Sequence, residues 1–69
     1  MKISARNQLK GTITEINEGA VNGIVKIDIG QGNIISSTIS MSAIRELGLE
    51  VGKPAYAVIK ATSVMVAVD

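Results

Sequence analysis

Seven glycines divide the chain into short segments rich in Ile and Val. β-branched residues favour strands, and glycine marks the turns, bulges and bends between them. In the first such segment the apolar alternation slips before Ile16, which predicts a bulge or a sharp bend. The pattern predicts five strands, at residues 8–16, 21–29, 34–39, 55–60 and 64–68.

The apolar period changes after the third predicted strand. Ser40 or Ser42 can cap a helix, Ile44 and Leu47 are three residues apart, and Gly48 suits a left-handed helix end. A helix of under two turns is predicted between strands 3 and 4. This order favours an all-β fold, a small five-stranded Greek-key barrel of the oligonucleotide/oligosaccharide-binding (OB) type. An open five-stranded sheet is the alternative.

The chain is short and has no residues for a disulfide or a transition-metal site that would stabilise it. Domains of about this size bury little apolar surface and usually need a disulfide, a metal or a partner subunit. The 69 residues include no Cys and no His, so contact with a partner subunit is the remaining source of stability. We therefore expect residues 1–69 to form one domain that assembles with further copies of itself.

Several function classes are disfavoured by the same composition. Without Cys or His, and with six scattered acidic residues, no nucleophile and base pair is evident, so we expect no enzyme. The net charge of +1 and the single aromatic residue, Tyr56, argue against nucleic-acid binding. No apolar run is long enough to span a membrane, and the expected location is the cytoplasm.

Hydrogen-bond donors are concentrated at a few positions. Hydroxyl and cationic side chains suit a small anion that only accepts hydrogen bonds, and they do not suit a cation. Spacing alone does not show that the groups converge. On composition alone, the first explanation of each group is an ordinary structural role: a chain terminus, a polar strand face, a helix cap or a turn. The groups are Ser4 with Arg6, Ser36 to Thr38, Ser40 with Ser42, and Lys60 with Thr62 and Ser63.

Four motifs carry more information than composition does. They are Ser4-Ala5-Arg6-Asn7-Gln8-Leu9-Lys10-Gly11, residues 39–49 with Glu46-Leu47-Gly48-Leu49, Gly52-Lys53, and Val58-Ile59-Lys60-Ala61-Thr62-Ser63-Val64. Together they make essentially the whole chain resemble the molbindins, small cytoplasmic molybdate-binding proteins of the Mop, or molybdenum-pterin-binding, type. The resemblance implies an OB-type barrel that assembles as a homohexamer, a trimer of dimers, and binds molybdate or tungstate between subunits. It implies no organic cofactor.

The resemblance also implies site residues. Ser4, Arg6 and the backbone around Ala5 would come from one chain, and Lys60 with the backbone of Ala61 from a neighbour. Ser40 matches a family hydroxyl position, and Ser42 lies beside Ala43, where regulator-type members carry a second hydroxyl. No side chain is expected to bind the metal directly. A second class of site, near a threefold axis and built from backbone groups, has as candidates Gly19, Ala20, Val21 and Asn22.

The implied function is storage and buffering of molybdate or tungstate inside the cell, as part of metal homeostasis. Molybdate is a tetrahedral dianion whose oxygens accept hydrogen bonds and donate none, so a pocket of donors suits it. One alternative is an oxyanion-sensing interaction domain that acts on a regulator or transporter partner. Another is a generic binder of single-stranded nucleic acid, which the lone aromatic residue disfavours.

Overall fold

The computed structural model describes residues 1–69. Every strand that forms lies within one residue of a predicted strand at each end. A short 3₁₀ helix follows the last strand. The elements are β1 (Asn7–Asn17), β2 (Asn22–Asp28), β3 (Ile34–Ser40), α1 (Met41–Glu46), β4 (Pro54–Ile59) and the 3₁₀ helix Ala61–Ser63.

The four strands form one antiparallel sheet in the order β3-β2-β1-β4. The first three strands follow one another as neighbours, and β4 returns beside β1 after α1, which is the Greek-key arrangement. The sheet is curled enough for β2 to contact β4, although the two are not neighbours. The all-β class and the short helix between strands 3 and 4 are therefore confirmed.

The prediction of a fifth strand at residues 64–68 is wrong. These residues leave the 3₁₀ helix without joining the sheet, so β3 and β4 remain edge strands. Met65 is 93% exposed and Val68 is 92% exposed. Their side chains have strand propensity, but a strand also needs a neighbour for its backbone hydrogen bonds, and residues 64–68 pair with no strand of their own chain.

The predicted irregularity in the first strand is confirmed as a register shift. Ile13 pairs with Ile27, whereas Glu15 pairs with Lys26, so Thr14 is an extra residue on β1. Such an insertion bends the strand and increases its twist. The bend places β1 around the core, whose buried side chains are Ile13, Val25, Ile27, Met41, Ile44 and Ala57.

Helix α1 begins and ends as predicted but presents a different apolar face. Ser40 is the N-cap, and Gly48 follows the helix with φ +63°. Met41 and Ile44 are buried against the sheet, whereas Leu47 is 68% exposed, so Leu47 does not share the buried face with Ile44. No helix in the structure is both long and apolar enough to cross a bilayer.

Candidate anion-binding cavity

The antiparallel pairing of β1 with β4 brings two distant parts of the sequence together. Asn7, the first residue of β1, lies opposite Ile59, the last residue of β4. The Asn7 side-chain amide donates to the Ile59 carbonyl at 3.3 Å. The Gln8 amide donates to the Ala5 carbonyl at 2.9 Å, which holds the segment before β1 in place. Residues preceding β1 and residues following β4 therefore meet at one end of the sheet.

A surface cavity of about 330 Å³ opens between these two segments, and we call it the β1–β4 cavity. It includes all five residues that the molbindin resemblance implies for the main site. Three further residues complete its wall. The lining residues are Ile3, Ser4, Ala5, Arg6, Val58, Lys60, Ala61 and Thr62.

The two groups of predicted site residues share this cavity within one chain. Ser4, Ala5 and Arg6 line one side, and Lys60 and Ala61 belong to the segment that follows β4. The resemblance assigns these groups to two neighbouring chains. A single chain already offers both groups at one place, and the division of the site between two chains stays a prediction.

The charge of the β1–β4 cavity is one-sided. Arg6 and Lys60 line it, and no Asp or Glu does. Neither cation forms an ion pair within the chain, because the two salt bridges join Lys26 to Glu15 and Lys53 to Glu50. An arginine fork and a lysine ammonium without carboxylate partners attract a compact anion.

The backbone that carries Lys60 is fixed by the 3₁₀ helix. The Ser63 N–H donates to the Lys60 carbonyl at 2.9 Å, and the Val64 N–H donates to the Ala61 carbonyl at 3.3 Å. Lys60 itself is extended, with φ −61° and ψ 137°. The turn therefore holds the Lys60 stem at the end of β4, while its exposed ammonium can adjust to a ligand.

Ser40 and Ser42 lie outside the β1–β4 cavity. The Ser40 hydroxyl accepts a hydrogen bond from the Ala43 N–H at 3.1 Å, and it lies 3.3 Å from the Ser42 hydroxyl. Of the two caps that the sequence allows, the structure therefore uses Ser40, and Ser42 lies inside α1. Within one chain, the structure does not bring them together with Arg6 or Lys60.

The candidates for a second class of site lie in the connection between β1 and β2 and at the first residue of β2, also apart from the β1–β4 cavity. All of them are exposed. The Val21 carbonyl accepts from the Met41 N–H at 2.8 Å, so it is already used in joining this turn to α1. The residues concerned are Gly19, Ala20, Val21 and Asn22.

A second cavity, of about 400 Å³, lies between the two edge strands, and we call it the edge cavity. Its lining contains no charged side chain, and the hydroxyls of Ser37 and Tyr56 are its only polar side-chain groups. Of the predicted Ser36 to Thr38 donor group, Ser37 alone faces a cavity. The other lining residues are Met1, Val25, Ile27, Ile39, Leu47, Leu49, Tyr56 and Val58.

One polar residue of the β1–β4 cavity is absent from the site that the resemblance implies. Thr62 lines it beside Lys60 and Ala61. The sequence groups Thr62 with Lys60 as a donor, but hydroxyl residues are so common in turns that this alone does not indicate a binding role.

Nowhere in the structure do three or more His, Cys, Asp or Glu side chains gather as a metal ion would require.

Comparison with known proteins decides the family. The TOBE domain family matches residues 3–66. The probable molybdenum-pterin-binding protein of Haemophilus influenzae is 68% identical over 69 residues, covering all of both chains. The chain belongs to the molybdenum-pterin-binding proteins of the TOBE domain family. The resemblance to molbindins is thereby confirmed.

Solved structures of relatives share the fold. MopII from Clostridium pasteurianum is 43% identical and superposes with a TM-score of 0.90, over 97% of this chain and 100% of that chain. The cytoplasmic molybdate-binding protein ModG, in a form with molybdate bound, is 46% identical with a TM-score of 0.84. The match covers 88% of this chain and 43% of the ModG chain.

Proposed function

We propose that this chain binds molybdate, and equally tungstate, in the β1–β4 cavity. The observation that carries the proposal is the pairing of Arg6 and Lys60 on one cavity whose lining has no carboxylate. The molybdate-bound form of the related ModG supports the choice of ligand. Residues 1–69 act as one binding domain.

The chemistry of the lining favours an oxyanion that carries no proton. Arg6 and Lys60 supply charge, Ser4 supplies a hydroxyl, and the backbone N–H groups of Ala5 and Ala61 are the expected further donors. Phosphate is partly protonated near neutral pH, and setting its O–H against these donors costs about 1–3 kcal/mol. Sulfate keeps the charge but is smaller, so donors on fixed backbone must exclude it by distance.

In the cell, the protein would store and buffer these oxyanions in the cytoplasm and release them unchanged. The proposal needs neither catalysis nor an organic cofactor, because the anion itself is the cargo. The cavity is open at the surface and its charged side chains are exposed, which supports exchange with solvent rather than permanent capture.

The proposed assembly is a homohexamer built as a trimer of dimers. Two observations support self-association. The segment Val64 to Val68 exposes apolar side chains, and the edge cavity, between two unpaired strand edges, is lined by exposed apolar residues such as Leu47 and Val58. Exposed apolar surface of this kind marks interaction sites.

Isothermal titration calorimetry of the purified protein with molybdate, tungstate, sulfate and phosphate tests the proposed ligand. We expect saturable binding of molybdate and tungstate with similar affinity, and weaker binding of sulfate and phosphate. Arg6→Ala and Lys60→Ala each weaken molybdate binding by about tenfold or more, because each removes a charge-assisted hydrogen bond. Neither removes buried core, so the unfolding midpoint changes little.

Lys53→Ala is the matched control. Lys53 is an exposed cation that pairs with Glu50 at 3.4 Å and does not line the β1–β4 cavity. Its loss leaves molybdate affinity unchanged. If the wild type takes up no molybdate, or if all three variants bind like the wild type, the proposed site is wrong.

A further inference from the structure

Thr62 lines the β1–β4 cavity and carries a hydroxyl donor that the implied site does not include. The cavity has two residues with hydroxyl side chains, Ser4 and Thr62. Thr62 is two residues from Lys60, and the next hydroxyl residue along the chain, Ser63, does not line the cavity. The two neighbours therefore differ in the one respect that matters for a ligand.

The Thr62 side chain makes no hydrogen bond within its own chain. Two hydroxyls that do have a structural role are those of Ser40, which caps α1, and Thr14, which donates to the Lys26 carbonyl at 3.4 Å. The Thr62 hydroxyl therefore has no partner within its own chain, and Thr62 lines the same cavity as Arg6 and Lys60, which form no ion pair. An acceptor entering the cavity is the partner that this donor lacks.

The backbone around Thr62 is more constrained than an ordinary surface turn. Thr62 is the middle residue of the 3₁₀ helix Ala61–Ser63, which the hydrogen bonds from Ser63 to Lys60 and from Val64 to Ala61 close. Its β-branched side chain also has few χ1 rotamers. The hydroxyl therefore has far fewer accessible positions than the flexible Lys60 ammonium.

We propose that the Thr62 hydroxyl donates a hydrogen bond to the bound oxyanion and helps to select among anions by size. This proposal rests on the proposed function of the β1–β4 cavity. Charge acts over a long range and attracts every dianion, whereas a hydroxyl on a fixed turn rewards only an oxygen at hydrogen-bond distance. The longer bonds of molybdate reach Thr62, and the shorter bonds of sulfate leave a gap.

Substitutions at Thr62 separate its hydroxyl from its methyl group. Thr62→Val keeps the shape and loses the donor, and we expect molybdate affinity to fall about tenfold. We expect sulfate affinity to change much less, so the ratio of molybdate affinity to sulfate affinity falls. Thr62→Ser keeps the donor and retains affinity close to that of the wild type. Ser63→Ala removes the adjacent hydroxyl that does not line the cavity and has no effect on binding.

The Thr62 variants and Arg6→Ala together distinguish an error about Thr62 from an error about the whole cavity. Thr62 is exposed, so its substitution removes no core, and Thr62→Ala serves as a second hydroxyl-free variant should Thr62→Val fold poorly by circular dichroism. If the hydroxyl-free variants bind like the wild type while Arg6→Ala does not, the role of Thr62 is refuted and the cavity stands. If Thr62→Ser loses as much affinity as Thr62→Val, the methyl group rather than the hydroxyl matters, which also overturns the proposal. A wild type that ignores molybdate refutes both proposals.

Discussion

At the residue scale, Gly11 lies where β1 and β2 leave no room for a side chain. A Cβ placed there would overlap the Asp28 carbonyl oxygen and lie 2.8 Å from Ile27 Cγ2. Gly11 pairs with Ala55 on its other side, so β1 is enclosed by β2 and β4 at this point. Only a residue without a side chain lets the curled sheet bring these backbones together.

We expect Gly11→Ala to destabilise the fold by about 1–3 kcal/mol, because the atom in the way belongs to rigid backbone. Gly23→Ala is the comparison: its new Cβ meets mainly the ends of the Ile44 and Met41 side chains, at 2.6 and 2.9 Å, which can move. Urea denaturation followed by circular dichroism measures both. A Gly11→Ala midpoint equal to that of the wild type would show that β1 relaxes away from Asp28 at little cost.

Also at this scale, the sequence alone reveals which residues are donors but not which of them meet. Spacing leaves Arg6 and Lys60 in separate groups, and the resemblance to molbindins is what joins them. The structure supplies the physical reason, the pairing of Asn7 with Ile59. Thr62 cannot be predicted as a site residue, because nothing in a single sequence distinguishes it from Ser63. The structure separates them: both belong to the 3₁₀ helix, but only Thr62 lines the cavity.

At the element scale, the short helix α1 depends on its cap. Its six residues are too few for a stable isolated helix, so burial of Met41 and Ile44 and the hydrogen bond from Ala43 to Ser40 hold it. Ser40→Ala should cost about 1 kcal/mol of stability and leave molybdate affinity unchanged, since Ser40 does not line the β1–β4 cavity.

Chemical denaturation and calorimetric titration of the same Ser40→Ala sample measure the two effects separately. Ser42→Ala is the control, because its hydroxyl contacts only that of Ser40 and satisfies no backbone N–H. A loss of affinity in Ser40→Ala as large as that in Arg6→Ala would contradict the separation. It would show that the start of α1 from a neighbouring chain takes part in binding.

The strands show which parts of the fold the apolar pattern of the sequence predicts correctly and which part it does not. Four strands and the bulge before Glu15 follow from local alternation and glycine positions, because each strand finds a partner in the same chain. Residues 64–68 have the same apolar character but no pairing partner. The apolar pattern shows that a segment is able to form a strand, but the strand forms only where another strand pairs with it. The pairing partner of residues 64–68 cannot be predicted from the sequence.

At the scale of the whole molecule, the open edges and the exposed C-terminal segment are complementary. Strands β3 and β4 are both edges, and both contribute to the edge cavity, through Ile39 and Val58 among others. Exposed edges are templates for pairing with another chain. We expect the segment at residues 64–68 of a second copy, an apolar strand-former without a sheet, to occupy this gap, cover the core and supply the missing strand.

Sedimentation velocity tests this pairing through the paired substitution Val66→Asp with Val68→Asp. These side chains are 89% and 92% exposed in one chain, so two carboxylates there cost a monomer little but oppose burial against an apolar cavity. We expect the wild type to sediment as a hexamer and the doubly substituted protein to shift toward the 7.2 kDa chain. Val51→Asp, at an exposed valine in the turn before β4, leaves the assembly intact. A wild type that sediments as a folded monomer contradicts the assembly, and a doubly substituted hexamer shows that residues 64–68 do not hold it together.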